Sequence, residues 1–85
     1  MSDELEVFPL EIARTCFPPI WTIYDHPRDY PKRFIVRVFY GLTPEPQSTA
    51  HDSLADARVS VQARGGCVNL GRQPKDDPVI VESWI

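Results

Sequence analysis

Long apolar runs and a basic leader are both missing at the start of this chain. MSDELEVFPLEIART opens acidic where a secretory signal would be basic, and its longest apolar run is far too short to cross a bilayer. A soluble, cytoplasmic protein without membrane contact is the expectation. Cysteine is scarce, with only Cys16 and Cys67 present. In a reducing compartment they are expected as separate, half-buried thiols serving as small apolar side chains, with a Cys16–Cys67 disulfide as the alternative in an oxidising one. Positive charge is not in excess: nine basic and twelve acidic side chains leave a net charge of −3, which argues against nucleic-acid binding. Glycine is sparse too, and its one cluster, RGGCVNLG, lacks the lysine and hydroxyl of a phosphate-binding loop and follows a helical pattern instead of opening one. It reads as a helix stop, and no cofactor is implied.

What the chain has is proline, nine residues in 85, beside an ordinary content of core-forming side chains. The prolines therefore punctuate elements. Residues 1–17 read as an arm in which Pro9 suits the start of one helical turn and Leu10, Ile12 and Ala13 can dock on a core. Residues 18–85 read as one α+β domain. Pro18 and Pro19 hand the chain to a first strand, Ile20 to Tyr24. The run FIVRVFY, Phe34 to Tyr40, is the clearest strand: Phe34, Val36, Val38 and Tyr40 share a wholly apolar or aromatic face that should meet the core, opposite Ile35, Arg37 and Phe39. LTPEPQST, with two prolines and no periodicity, reads as a loop. One amphipathic helix follows, with Ser53 as N-cap, Asp56 three residues on, Leu54, Ala57 and Val61 at helical spacing, and Gly65 with Gly66 as a left-handed stop. His51 is placed in the turn that enters this helix. Cys67 to Leu70 and Val79 to Trp84 complete a four-stranded antiparallel sheet of two hairpins in ββαββ order, with the helix packed on one face.

The stretch YDHPRDYPKRF invites a chemical reading. Asp25, His26 and Asp29, joined by Asp76 and Asp77 from a later loop, would form a mixed nitrogen and oxygen ligand set for a metal, and His26 beside Asp25 has the makings of a general base. A comparison within the chain favours geometry instead. Pro27-Arg28-Asp29-Tyr30-Pro31 stands before FIVRVF, and Pro74-Lys75-Asp76-Asp77-Pro78 stands before VIVESW. In each, the first proline presets a turn, the aspartate is suited to accept from nearby amides, and the last proline sits at strand entry, where a missing N–H is tolerated. Two turns launching two strands is the economical account, and no metal or catalytic residue is assigned.

Candidate binding residues remain. Arg28, Lys32 and Arg33 gather in the first loop and Arg72 with Lys75 in the second, a shared edge for an anion or an acidic surface that the neighbouring aspartates largely neutralise. The period of VIVESW does not choose a face. If Trp84 points away from the helix, it joins Arg37 and Phe39 in an exposed patch.

IYDHPRDYP, the following FIVRVF, the helical LADAR and the closing DDPVIVESWI resemble a family of short uncharacterised proteins of bacterial chromosomes and prophages, over roughly residues 20–85. The resemblance implies a bacterial or phage origin and brings no activity, ligand or site residue with it. Two function classes follow from the residues themselves. The first is a non-enzymatic interaction module that uses a sheet face or edge to bind a protein partner or a second copy of itself. The second is a small ligand- or metal-binding domain with its site between loops 25–33 and 71–78.

Overall fold

A computed structural model describes residues 8–73 and 76–85. The elements run α1 (Leu10–Cys16), β1 (Pro19–Asp25), β2 (Phe34–Tyr40), β3 (Thr43–Pro44), β4 (Thr49–His51), α2 (Leu54–Ala63), β5 (Asn69–Gly71) and β6 (Ile80–Trp84). The class is α+β, with one antiparallel sheet in the order β3-β2-β1-β6-β5 and β4 paired to β2 beyond that path. Among the described residues the sheet thus has six strands where four were expected, and the helical turn expected after Pro9 is a seven-residue helix, a second one beside α2. Among the described residues no helix is long and apolar enough to cross a membrane.

The two extra strands arise from the segment that reads as a loop. β2 is longer than any partner other than β1, so its outer edge carries unpaired donors and acceptors, and short pieces of 42–51 satisfy them. Pro44 pairs with Phe39, where an edge position tolerates the absent N–H, and the next amide, Glu45 N, donates to Val38 O at 2.7 Å. His51 lies in β4 opposite Phe34, with Nε2 at 2.9 Å from Thr49 Oγ1, and not in the helix-entry turn.

The core lies between the sheet and α2. It comprises Trp21 and Ile23 of β1, Val36 and Val38 of β2, Ala57 and Val61 of α2, and Trp84 of β6, with Phe34, Tyr40, Leu54 and Val81 packed at its margin. The expected inward face of β2 is the observed one. Helix α2 is held by its ends: Ser53 Oγ accepts from Asp56 N at 3.0 Å, while Gly66 N donates to Val61 O and Gly65 N to Gln62 O, the paired bonds of a Schellman stop with Gly65 at φ +115°. Helix α1 reaches the same side of the sheet at the β2–β3 corner. Thr43 Oγ1 donates to Phe8 O at 2.8 Å, and Thr43 stands cross-strand from Tyr40, whose ring packs with the core under α2. Arg14 of α1 forks onto Glu45 at 2.6 to 3.2 Å, and Tyr40 Oη donates to the same carboxylate.

Trp84 corrects the sequence expectation. It pairs with Trp21 in register and is only 6% exposed beneath α2, so it cannot join Arg37 and Phe39. A bulge explains why the period was silent: the register shifts between Ile23 opposite Glu82 and Tyr24 opposite Ile80, so the two ends of β6 obey different alternations. Both cysteines are free and exposed, against the expectation of half-buried thiols.

Candidate functional site

Among the described residues both helices lie on one side, and the other face of the sheet is left to the strands and to the β1–β2 connection, with Thr22 and Ile35 on it buried. Cross-strand partners share a face, so the register fixes who stands there. Phe39 is opposite Ile20 and Pro44. Continuing the Trp21–Trp84 register by one residue sets Ile85 beside Ile20, and Ile85 in turn exchanges both backbone hydrogen bonds with Val68, at 2.9 and 2.8 Å. One apolar row therefore crosses five strands. Its inner members Phe39 and Ile20 are half-buried, whereas Ile85 is 46% and Val68 51% exposed. The next row is polar or small: Arg37, Thr22, Ser83 and Gly71. A third row returns to apolar groups with Ile35, Tyr24 and Ile80.

At the end of this face the β1–β2 connection folds over it. The loop is a pair of turns: Tyr30 N donates to Pro27 O at 2.8 Å, Arg33 N to Tyr30 O at 3.2 Å, and His26 N to Arg33 O at 3.1 Å. His26 adopts φ +50°, its ring nitrogen Nδ1 pairs with Asp25, and its ring meets Phe34 edge-on at 4.8 Å between centroids. These contacts shape a corner. Between the corner and the strands lies a cleft of about 190 Å³ lined by Tyr24, Pro27, Asp29, Tyr30, Ile35 and Arg37. Burial pushes the Tyr24 hydroxyl above its ordinary pKa, Arg37 opposes the rise, and Asp77 and Asp76 add to it. Those causes place the second loop at the same end of the sheet, as does the bond from Asp25 N to Val79 O at 2.7 Å.

The sequence-expected residues are distributed as follows. Arg37 and Phe39 stand on the open face, half-buried. Among the described residues Arg37 makes no ion pair, and neither does Asp29, although both line one cleft. Arg28 and Lys32 are exposed on the corner. Arg33 is turned towards β4, pairing with Asp52 at 3.1 Å and donating to Ala50 O at 3.3 Å. Arg72 donates to Asp76 O at 3.1 Å, and Lys75 lies outside the described residues. The basic groups do not converge. The acidic groups serve their own loops: Asp76 Oδ2 accepts from Gln73 N, Asp77 Oδ1 from Val79 N, and Asp25 holds His26. Among the described residues no group of three metal-ligating side chains comes together. The strands that follow begin at Phe34 and Ile80, and Ile80 N closes a turn on Asp77 O at 2.9 Å, so Pro31 and Pro78 lie inside their turns and not at strand entry, and β6 starts one residue later than expected.

Ile20, Ile85, Val68 and the cleft residues Tyr24 and Tyr30 carry no sequence signal as a site, because only the register joins them. The chain matches no family model, no curated protein and no solved structure.

Proposed function

We propose that this chain is a non-enzymatic protein-interaction module whose binding surface is the open face of its sheet. The observation that carries the reading is the apolar row from Phe39 to Val68, flanked by a half-buried Arg37 without an ion pair among the described residues. A contiguous, partly exposed apolar row beside a cation is the composition of a contact patch and costs solubility if left bare. The face is favoured over the edges, since β5 and β4 have three residues each and β3 two, too short to template a long added strand. The test is a photo-crosslinking residue placed at position 39 or 68, compared with position 59, which is exposed on α2. Discrete protein adducts from 39 and 68 and none from 59 are expected. Adducts from 59 alone, or from none of the three, would overturn the reading.

The cleft supports a second reading, a small-ligand seat, though its lining comes from the first loop and from β1 and β2 and not from loop 71–78. Its volume of about 190 Å³ falls short of the roughly 300 Å³ at which small-molecule pockets begin, so it suits one side chain of a partner better than a free ligand. A thermal-shift screen over divalent metals and phosphate- or carboxylate-bearing metabolites decides it. Stabilisation abolished by Arg37→Ala would favour the ligand, and a flat screen would remove it.

A further inference from the structure

We propose that the open face closes on the same face of a second copy of this chain, sheet against sheet, about a two-fold axis running along the strands between β1 and β6. This rests on the interaction-module reading and commits it to one partner. The rows of this face are close to symmetric. Read across the strands from β2 to β5, the apolar row is Phe39, Ile20, Ile85, Val68, and the polar row is Arg37, Thr22, Ser83, Gly71. Each is nearly the same read backwards in size and polarity about the β1–β6 boundary. The exception is the outer pair of the polar row, where a long residue answers a glycine. In an isologous interface every residue meets the mirror position of its own row, so here apolar side chains meet apolar ones and polar or small ones meet each other.

The axis sets Ile20 on the partner's Ile85, Phe39 on the partner's Val68, and Thr22 on the partner's Ser83. Arg37 falls over the partner's Gly71, where no side chain competes for its space. The alternative axis, running across the strands, would stack Arg37 on the partner's Arg37 and bury two like charges together. Along the chosen axis the two guanidinium groups belong to strands about 14 Å apart at a spacing of about 4.8 Å per strand, beyond the screening length of about 8 Å. Charge complementarity continues at the cleft. There Arg37, unpaired among the described residues, falls on the side of the partner's Asp76 and the partner's Asp77.

Area sets the strength. Ile35 is buried under the β1–β2 connection, so two rows about 6.8 Å apart on four strands about 4.8 Å apart are left to a partner, roughly 260 Å², which side-chain relief raises to about 350 Å² per copy. Two copies then bury about 700 Å², the size of a weak, transient contact, so dissociation in the high-micromolar to millimolar range is expected. Packed sheets of this kind align within about 30°.

Sedimentation velocity of the full chain from the micromolar to the millimolar range is expected to show a monomer–dimer equilibrium. Val68→Glu and Phe39→Glu should each weaken it about tenfold or more, while Val59→Glu on α2 leaves it unchanged. Circular dichroism checks that each variant is folded. A second measurement fixes the axis: in a Cys16→Ser, Cys67→Ser background, Phe39→Cys with Val68→Cys should oxidise to a covalent dimer. Within one copy these positions lie three strands apart, about 14 Å, too far to bridge. A chain that stays monomeric throughout, a dimer indifferent to both glutamate variants, or a cysteine pair that gives no covalent dimer would each overturn the proposal. If the chain is monomeric while positions 39 and 68 still crosslink to another protein, the second copy is excluded and the interaction module stands.

Discussion

Glu82 is the side chain on which the most separate contacts depend. It lies in the core layer with only 5% of its side chain exposed, takes a two-point fork from Arg58 at 2.8 Å on each oxygen, and accepts from Trp84 Nε1 at 2.8 Å. The Arg58 bonds hold its carboxyl below the ordinary value of 4.5 against the opposing effect of burial, with Trp84 and Asn69 adding to the lowering. Truncating Glu82 to alanine strands the buried indole N–H of Trp84 and frees Arg58 to the solvent. A loss of about 2 to 3 kcal/mol in urea unfolding is expected, the cost of an unmet buried donor plus a lost charge-assisted bond. The pH dependence has a definite sign. Because the folded value lies below the unfolded one, the Glu82 contribution is complete above pH 4.5 and disappears as the pH falls through the lower folded value. Melts at pH 7 and at about pH 3 should therefore show the wild type losing more stability on acidification than Glu82→Gln does. An equal loss would assign the acid sensitivity elsewhere. None of this was legible in the sequence: VIVESW shows a lone acid in an apolar run, and its partner on α2 lies 24 positions away.

Helix α2 shows what a sequence does disclose about an element, since local bonds decide both of its ends. Ser53 to Asp56 at one end and Gly65–Gly66 at the other are short-range signals, and the helix lies where they put it. Ser53→Ala should cost about 1 kcal/mol, read as a lowered urea midpoint at constant slope. Gly66→Ala should cost more, about 1 to 3 kcal/mol, for a different reason. A Cβ there would run into the Val61 side chain, with Val61 O at 3.2 Å and the Trp21 ring at 3.4 Å, and Val61 is fully buried. Should the two substitutions prove equally mild, the close approach at Gly66 is not a constraint. The strands divide along the same physical line. β2 was readable because alternation held over seven residues, and the turns before β2 and β6 because proline and aspartate act locally. β3 and β4 were hidden because they exist only as partners of β2's outer edge, and the facing of Trp84 was hidden because a one-residue bulge reverses an alternation from within. The candidate face was half legible: Arg37 and Phe39 share a parity on one strand, but Ile20, Ile85 and Val68 join them only through pairing between distant segments.

The whole molecule is organised around β1, which pairs along one edge with β2 and along the other with β6. The chain therefore closes its core late: α2 and β2 supply one side, and nothing completes the other until Trp84 and Glu82 arrive from the last segment. The N-terminal arm has a lesser role. Ala13 is buried and Phe17 packs against Gly41, yet among the described residues none before Trp21 belongs to the core cluster. This asymmetry predicts opposite fates for two truncations. A chain of residues 18–85 should unfold cooperatively at a lower midpoint, because it keeps every strand and α2 while losing the Arg14–Glu45 fork and the contacts of α1. A chain of residues 1–66, nearly the same length, should show no cooperative transition, since β1 would present a bare edge and the core would be open where Trp84 had stood. Thermal melts followed by near-ultraviolet circular dichroism decide the matter through Trp21, which both fragments retain. A cooperative melt from 1–66 with none from 18–85 would place the organising contacts in the arm and against the central strand.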